Sequence, residues 1–311
     1  MGIGKYIKEI GRGKEGARAL TREQATDLFG QVLDGAVTHL EVGAFCLAMR
    51  IKGETADEMA GFLDATRTRT TLQGSHDLIP IVLPSYNGAR KLPVLTPLLA
   101  LLLAQRGMAV LVHGAATDSV RVHAPTVLRQ LGIEAGAGPL TPGRVLYTPT
   151  EALCLGLKRL LDVRRVVGLR NPAHSLVKLM NPCAGRALVV GSYTHPEYAL
   201  SMAATFELVG ADALLLRGTE GEPVADPRRA PQIDAFIGGQ RQTLQPAQGG
   251  SLNQLPDLPA PDAEATARYT QAVLDGALPV PAPIAAQVEH ILHAHQLITL
   301  ATSRADARPA P

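Results

Sequence analysis

The chain has 311 residues, 46% hydrophobic and 19% charged, enough to bury a sizeable core in one large or two smaller domains. With 30 Lys and Arg against 28 Asp and Glu the formal charge is +2, which excludes any argument for nucleic acid from net charge alone; only the placement of cations can carry one. Cys46, Cys154 and Cys183 are widely spaced and odd in number, a pattern that suits neither a disulfide framework nor a zinc site and fits three buried thiols in a reducing cytoplasm.

Lys5, Lys8, Arg12, Lys14 and Arg18 crowd residues 1–18 against Glu9 and Glu15, while isoleucines at 3, 7 and 10 fall at helical spacing. One face of this helix is apolar and the other cationic, facing either solvent or phosphates. No basic-then-apolar leader precedes a small-residue cleavage site, so a soluble, cytoplasmic protein is expected. Three capping boxes follow, Thr21 with Gln24, Thr38 with Glu41 and Thr55 with Glu58, each just before an apolar-periodic run. Leu28, Phe29, Val32 and Leu33 belong to the first run, Val42, Phe45, Cys46 and Met49 to the second, and Met59, Phe62 and Leu63 to the third. A helical subdomain over residues 1–73 is the consequence.

A strand over 79–83 opens the sheet, then comes a loop with Asn87, Gly88, Arg90 and Lys91 and an apolar run over 92–104. That run is too short to span a bilayer and contains Pro93 and Pro97, so it reads as a buried helix. A second strand over 109–112 ends at His113-Gly114. Strand, loop, helix, strand is a parallel crossover unit, and ligands of open α/β folds bind at the carboxyl ends of such strands. Helix 125–131 ends at Gly132, residues 145–147 are extended, and helices are expected over 151–167 and 171–180. The strand at 187–190, helix to Val209 and strand at 213–216 extend a mostly parallel sheet. Residues 218–250 read as irregular because of Pro223, Pro227 and Pro231. Helices over 263–274 and 284–300 close the chain before a mobile tail at 302–311.

Residues 112–132 resemble, without gaps, the Lys-His-Gly-Asn to Ser-Gly-Ser-Ala-Asp segment of anthranilate phosphoribosyltransferase. Further words are similar to that family: Arg170-Asn171 through Asn181-Pro182, Thr194-His195-Pro196-Glu197, and Arg217 to Val224 against His-Gly-x-Asp-Gly-x-Asp-Glu. The resemblance implies an α/β protein with a small all-helical domain plus a large α/β domain with a mostly parallel central sheet. It also implies a discontinuous helical, dimerising domain (1–73 with 150–181) and an α/β domain (74–149 with 182–301). The chemistry of the match departs from the family. Val112 replaces its Lys, Ala115 its Asn, Val122 to Thr126 its Ser-Gly-Ser-Ala-Asp, Pro84 to Gly88 its Gly-Thr-Gly-Gly-Asp, and Pro223-Val224 the acidic pair that holds magnesium there. Neither Pro nor Val offers a side-chain oxygen to a hard cation. Glu220 survives, as does Arg170, which matches an arginine that contacts the anthranilate carboxylate.

The words Lys8-Glu9-Ile10-Gly11-Arg12-Gly13-Lys14, Pro84-Ser85-Tyr86-Asn87-Gly88-Ala89-Arg90-Lys91 and Gly218-Thr219-Glu220-Gly221-Glu222 resemble the YbiB-type branch of this superfamily. That resemblance implies the enzyme's fold without transferase activity, and binding of DNA, with RNA as a second candidate, at little sequence preference. The residues expected to contact nucleic acid are Lys5, Lys8, Arg12, Lys14, Arg18, Tyr86, Asn87, Arg90, Lys91, Arg121, Arg164, Arg165 and Arg170. With no Trp and 4% aromatics, binding should be led by charge, with Tyr86 the best stacking candidate. His113, Gly114, Ser119 and Glu220 form a vestigial cleft; no catalytic residue, metal or cofactor is assigned, and a homodimer away from membranes is expected. Two further readings stay open: a phosphoribosyltransferase or nucleoside phosphorylase with a rebuilt site, and a sensor of a small phosphorylated metabolite.

Overall fold

A computed structural model of the chain describes residues 2–13, 15–136, 138–250, 253 and 255–306. Four helices come first: α1 (Gly4–Ile10), α2 (Arg22–Asp34), α3 (His39–Lys52) and α4 (Ala56–Arg67). The last three start where the sequence puts them. Thr21, Thr38 and Thr55 each accept a hydrogen bond from the amide three residues on, and the Gln24, Glu41 and Glu58 side chains each accept one from the cap residue's own amide. Each reciprocal pair satisfies two amides that the first helical turn leaves without partners. Phe29, Phe45 and Phe62 meet in the middle, with Phe29 and Phe62 stacked at 4.5 Å and Phe45 edge-on at 6.0 Å from Phe62.

The sheet begins with β1 (Ile81–Ser85), α5 (Thr96–Gln105), β2 (Val110–Gly114), α6 (Ala124–Gln130) and β3 (Val145–Pro149). The chain then returns to the helical layer through α7 (Thr150–Leu153), α8 (Leu155–Val167) and α9 (Ala173–Leu176), whose Leu157, Leu160, Leu161 and Leu176 share a core with Phe29, Phe45 and Phe62. It comes back as β4 (Leu188–Tyr193), α10 (Pro196–Leu208), β5 (Ala213–Arg217), β6 (Ile233–Ile237) and β7 (Gln240–Gln245), and ends with α11 (Ala263–Leu274) and α12 (Ala282–Asp306). The seven strands run in the order β3-β2-β1-β4-β5-β6-β7, parallel from β3 to β5 and antiparallel beyond. Ile81, Leu83, Val110 and Val112 pack against α5 and α12 on one face, while Leu215 and Phe236 pack with α10 toward the helical layer on the other. Burial on both faces explains why the parallel strands are apolar throughout rather than alternating.

Four expectations change. Residues 218–250 are not irregular throughout: β6 and β7 form a hairpin across Gly238-Gly239, both at positive φ (55° and 81°), the backbone that a two-residue hairpin turn requires. The prolines at 223, 227 and 231 mask it by lying just before the first strand. Helix α5 starts at Thr96 rather than at residue 92, because Pro93 disfavours helix before it while Pro97 fits the first turn. Of 171–180 only Ala173–Leu176 is α-helical, and α12 continues to Asp306, past residue 300. All three thiols are buried. Among the described residues, no helix is long and apolar enough to cross a membrane.

Candidate functional site

Strand order reverses between β1 and β4, since β2 and β3 lie to one side of β1 and β4 to β7 to the other. At such a switch point the loops leaving the carboxyl ends diverge and leave a crevice. Here the loops after β1, β4 and β5 meet: a Cβ placed on Gly221 would come within 2.0 Å of the Asn87 side chain and 3.0 Å of Thr194. The φ of +89° at Gly221 is an independent reason for glycine there, since a Cβ would strain the backbone itself. Gly114, at the end of β2, is pressed against the β1 backbone, where a Cβ would lie 1.9 Å from the Ser85 carbonyl oxygen.

Two carboxylates hold the loop after β1. Glu222, 1% exposed, accepts from the Asn87 and Gly88 amides at 2.8 Å, from the Thr96 hydroxyl at 2.9 Å and from the Ser85 hydroxyl. Glu220 accepts from the amides of Arg90 (3.1 Å), Lys91 (2.8 Å) and Leu92 (3.1 Å) with one oxygen and from Arg121 (3.2 Å) with the other. Burial alone would raise the Glu220 carboxyl, but these donors outweigh it and hold it below the usual range. Converging amides of this kind form an anion-binding concavity, and in this chain both are filled from within.

Behind the loop the Tyr86 hydroxyl lies 2.8 Å from His113 Nδ1 and accepts from the Thr150 hydroxyl at 2.9 Å. Burial pushes His113 down to about 3, so it stays neutral at ordinary pH, and raises Tyr86 far above its ordinary value. Tyr86 is 2% exposed. The expectation that it stacks on a base is therefore corrected: the ring is buried in the core, edge-on to His113. Asn87 is buried as well, its amide donating to the Glu220 carbonyl at 2.8 Å.

Between the helical layer and the switch point lies a cavity of about 200 Å3, lined among others by Arg50, Arg170, His174, Lys178, Ser192 and Thr194. Lys178 is buried and donates to the carbonyls of Gly221 at 2.7 Å and Ser192 at 3.3 Å. Burial pushes its amine down to about 8, against the pull of Glu222. His174, brought down to about 4 by burial and then by Arg170, leaves its Nε2 without a partner.

The expected cations fall into two groups. Arg90 and Lys91 are exposed at the loop tip. Arg121 reaches Glu220 and also Asp118 at 3.7 Å, and Arg164 from α8 reaches the same Asp118 at 3.4 Å. Arg165 pairs with Asp162 at 3.4 Å and donates to the Ala116 carbonyl. Arg50 and Arg170 both line the cavity, and desolvation, then the like charges of Arg164, Arg121 and Arg50, lower the proton affinity of Arg170. Lys5, Lys8, Arg12 and Arg18 are exposed on the helical layer, Lys5 near Asp27 and Arg12 paired with Glu9, and no α1 residue lines the cavity. Lys14 lies outside the described residues. Ser119 is exposed on the loop after β2, and His113 and Gly114 are buried beneath it. Sequence reading missed Arg50, Lys178 and Glu222. The first two looked like ordinary helix residues, and Glu222 stands where the family motif specifies no residue type.

Residues 5–70 match the model of the helical bundle domain of the glycosyl transferase family. The chain is 41% identical over 298 residues to the uncharacterized protein YbiB of Escherichia coli, covering 93% of this chain and 92% of that one. It is 30% identical over 287 residues to the anthranilate phosphoribosyltransferase of Methylobacterium nodulans, covering 88% and 82%. Its fold superposes on the anthranilate phosphoribosyltransferase of Thermus thermophilus with a TM-score of 0.70 at 24% identity, over 93% of this chain and 87% of the other. With that identity sustained along most of its length, and with a helical layer, a mostly parallel sheet and a crevice at the switch point, the chain belongs to the anthranilate phosphoribosyltransferase-like family.

Proposed function

We propose that the chain is a non-catalytic member of this family that binds DNA, and RNA as a second candidate, through the phosphate backbone with little sequence preference. The observation that carries the reading is the filled loop: the amides best placed to take a diphosphate already bind Glu220 and Glu222, while Arg90 and Lys91 stand free at its tip. Val224, at one of the family's two metal-binding positions, is wholly buried in the core beneath α12 and has no oxygen to offer. Cations along a crevice release condensed counterions when a phosphate backbone binds, which yields affinity without reading bases. A homodimer joined through the helical layer completes the proposal.

The test is a salt titration with single- and double-stranded oligonucleotides. Binding is expected to weaken steeply between about 50 and 200 mM salt, and Arg90→Ala with Lys91→Ala should lower the logarithmic slope by about two if each side chain neutralises one phosphate. An unchanged slope removes the pair from the interface, and affinity indifferent to salt removes the reading. The competing reading is the transferase activity for which several relatives are named, favoured by the cavity with Arg50, Arg170 and Lys178, which is suited to a small anion. Phosphoribosyl pyrophosphate, magnesium and anthranilate should release no pyrophosphate above blank; steady turnover would replace the present reading with that one.

A further inference from the structure

Glu220 combines two features with no other use in the fold. It is the one non-glycine residue at positive φ (50°) among the described residues, a backbone conformation that L side chains adopt at a cost. Its carboxylate also takes three consecutive amides, two of them those of Arg90 and Lys91, whose side chains form the exposed cationic tip, and the third that of Leu92. The other end of the same loop is anchored by Glu222 through Asn87 and Gly88, and Arg121 ties Glu220 to the Gly88 carbonyl at 3.2 Å. The loop is thus held from within at both ends.

We propose that Glu220 is a positioning residue: by binding the backbone at 90–92 it fixes the loop in the one conformation from which Arg90 and Lys91 project together toward a polyanion. This rests on the nucleic-acid reading, and it makes a prediction opposite to simple electrostatics. A carboxylate beside a phosphate-binding surface repels the ligand, so removing it should tighten binding if charge were its only contribution. Removal weakens binding if the carboxylate pre-organises the loop, because two long side chains must then be ordered on association.

Two variants separate these effects. Glu220→Gly is at ease at positive φ and loses the acceptor; Glu220→Gln keeps an acceptor oxygen and loses only the charge. In the free protein, hydrogen exchange should show the amides of 90–92 protected in the wild type and in E220Q and exposed in E220G. With a labelled oligonucleotide at fixed salt, E220G should bind about tenfold more weakly despite losing a negative charge, and E220Q at least as tightly as the wild type. Equal tightening in both variants, or unaltered protection in E220G, overturns the proposal. If the wild type binds no oligonucleotide, the nucleic-acid reading falls and takes the purpose of the device with it, while the exchange data separately decide whether Glu220 holds the loop.

Discussion

Lys178 shows how much a single residue's environment matters. Its amine is buried against two carbonyls, with Glu222 as the nearest opposing charge, and titrates near 8 rather than at the ordinary lysine value of 10.5. Below pH 8 the lysine is charged in both folded and unfolded chains, so the folded state carries the full burden of the buried charge. Between 8 and 10.5 the unfolded chain holds the proton more tightly, and the folded state gains stability as pH rises. The melting temperature of the wild type relative to Lys178→Met should therefore climb across this window, by the equivalent of on the order of 3 kcal/mol. A difference that stays flat with pH would mean that the amine is solvated. Nothing in the local sequence marks Lys178 for this role: a lysine between Val177 and Leu179 looks like the exposed position of a short helix. Tyr86 misleads in the opposite sense, since a tyrosine in a glycine-containing loop suggests an exposed ring, and only its bonds to His113 and Thr150 put it inside.

The starts of α2, α3 and α4 were legible because capping is local, involving a hydroxyl and an amide three residues apart. Their weights differ, however, and the difference comes from packing. The Thr55 cap sits at a partly buried start, and its partner Glu58 is wholly buried, ion-paired with Lys52 at 2.6 Å and accepting from the Leu20 amide at 2.9 Å. Thr55→Ala should lower stability by about 1 kcal/mol, the usual loss of a cap. Glu58→Ala should cost about 3–5 kcal/mol, because it takes the counter-charge from a buried Lys52 amine, leaving it only the Gly53 carbonyl, and leaves the Leu20 amide without its partner. Urea denaturation of both variants measures the gap, and equal losses would show that Glu58 serves only its own cap. The hairpin of β6 and β7 was equally local, with an apolar run before Gly238-Gly239 and a polar one after it, yet the neighbouring prolines outweighed the turn signal.

At the scale of the molecule, the helical layer leaves Leu40, Leu47 and Ile51 exposed at 84%, 47% and 56% along one side of α3, beside a groove lined by Ile7, Ile10, Ala44 and Ala48. Three large apolar side chains in helical register on a surface are more than scattered exposure and fit a protein contact. If the proposed homodimer uses this face, Leu47→Glu should halve the mass seen by light scattering while leaving helix content intact; an unchanged mass would move the interface elsewhere. Dimerisation would also set two crevices in a fixed relation and lengthen the track available to a polyanion. The α1 cations, which line no part of the crevice within one chain, would then need a role across the pair or none.

By itself the sequence determined the starts of α2, α3 and α4, the parallel order of strands and helices, and the replacement of the family's metal and glycine positions. The first two follow from caps, turns and hydrophobic spacing, interactions that close within a few residues, and the third from the resemblance to that family. Tertiary structure alone decided what fills the crevice. Glu222 meets Asn87 across 135 positions and Glu220 meets Arg90 across 130, and no periodicity spans such a distance. Folding brings the two carboxylates to the loop, and their charge satisfies the amides there.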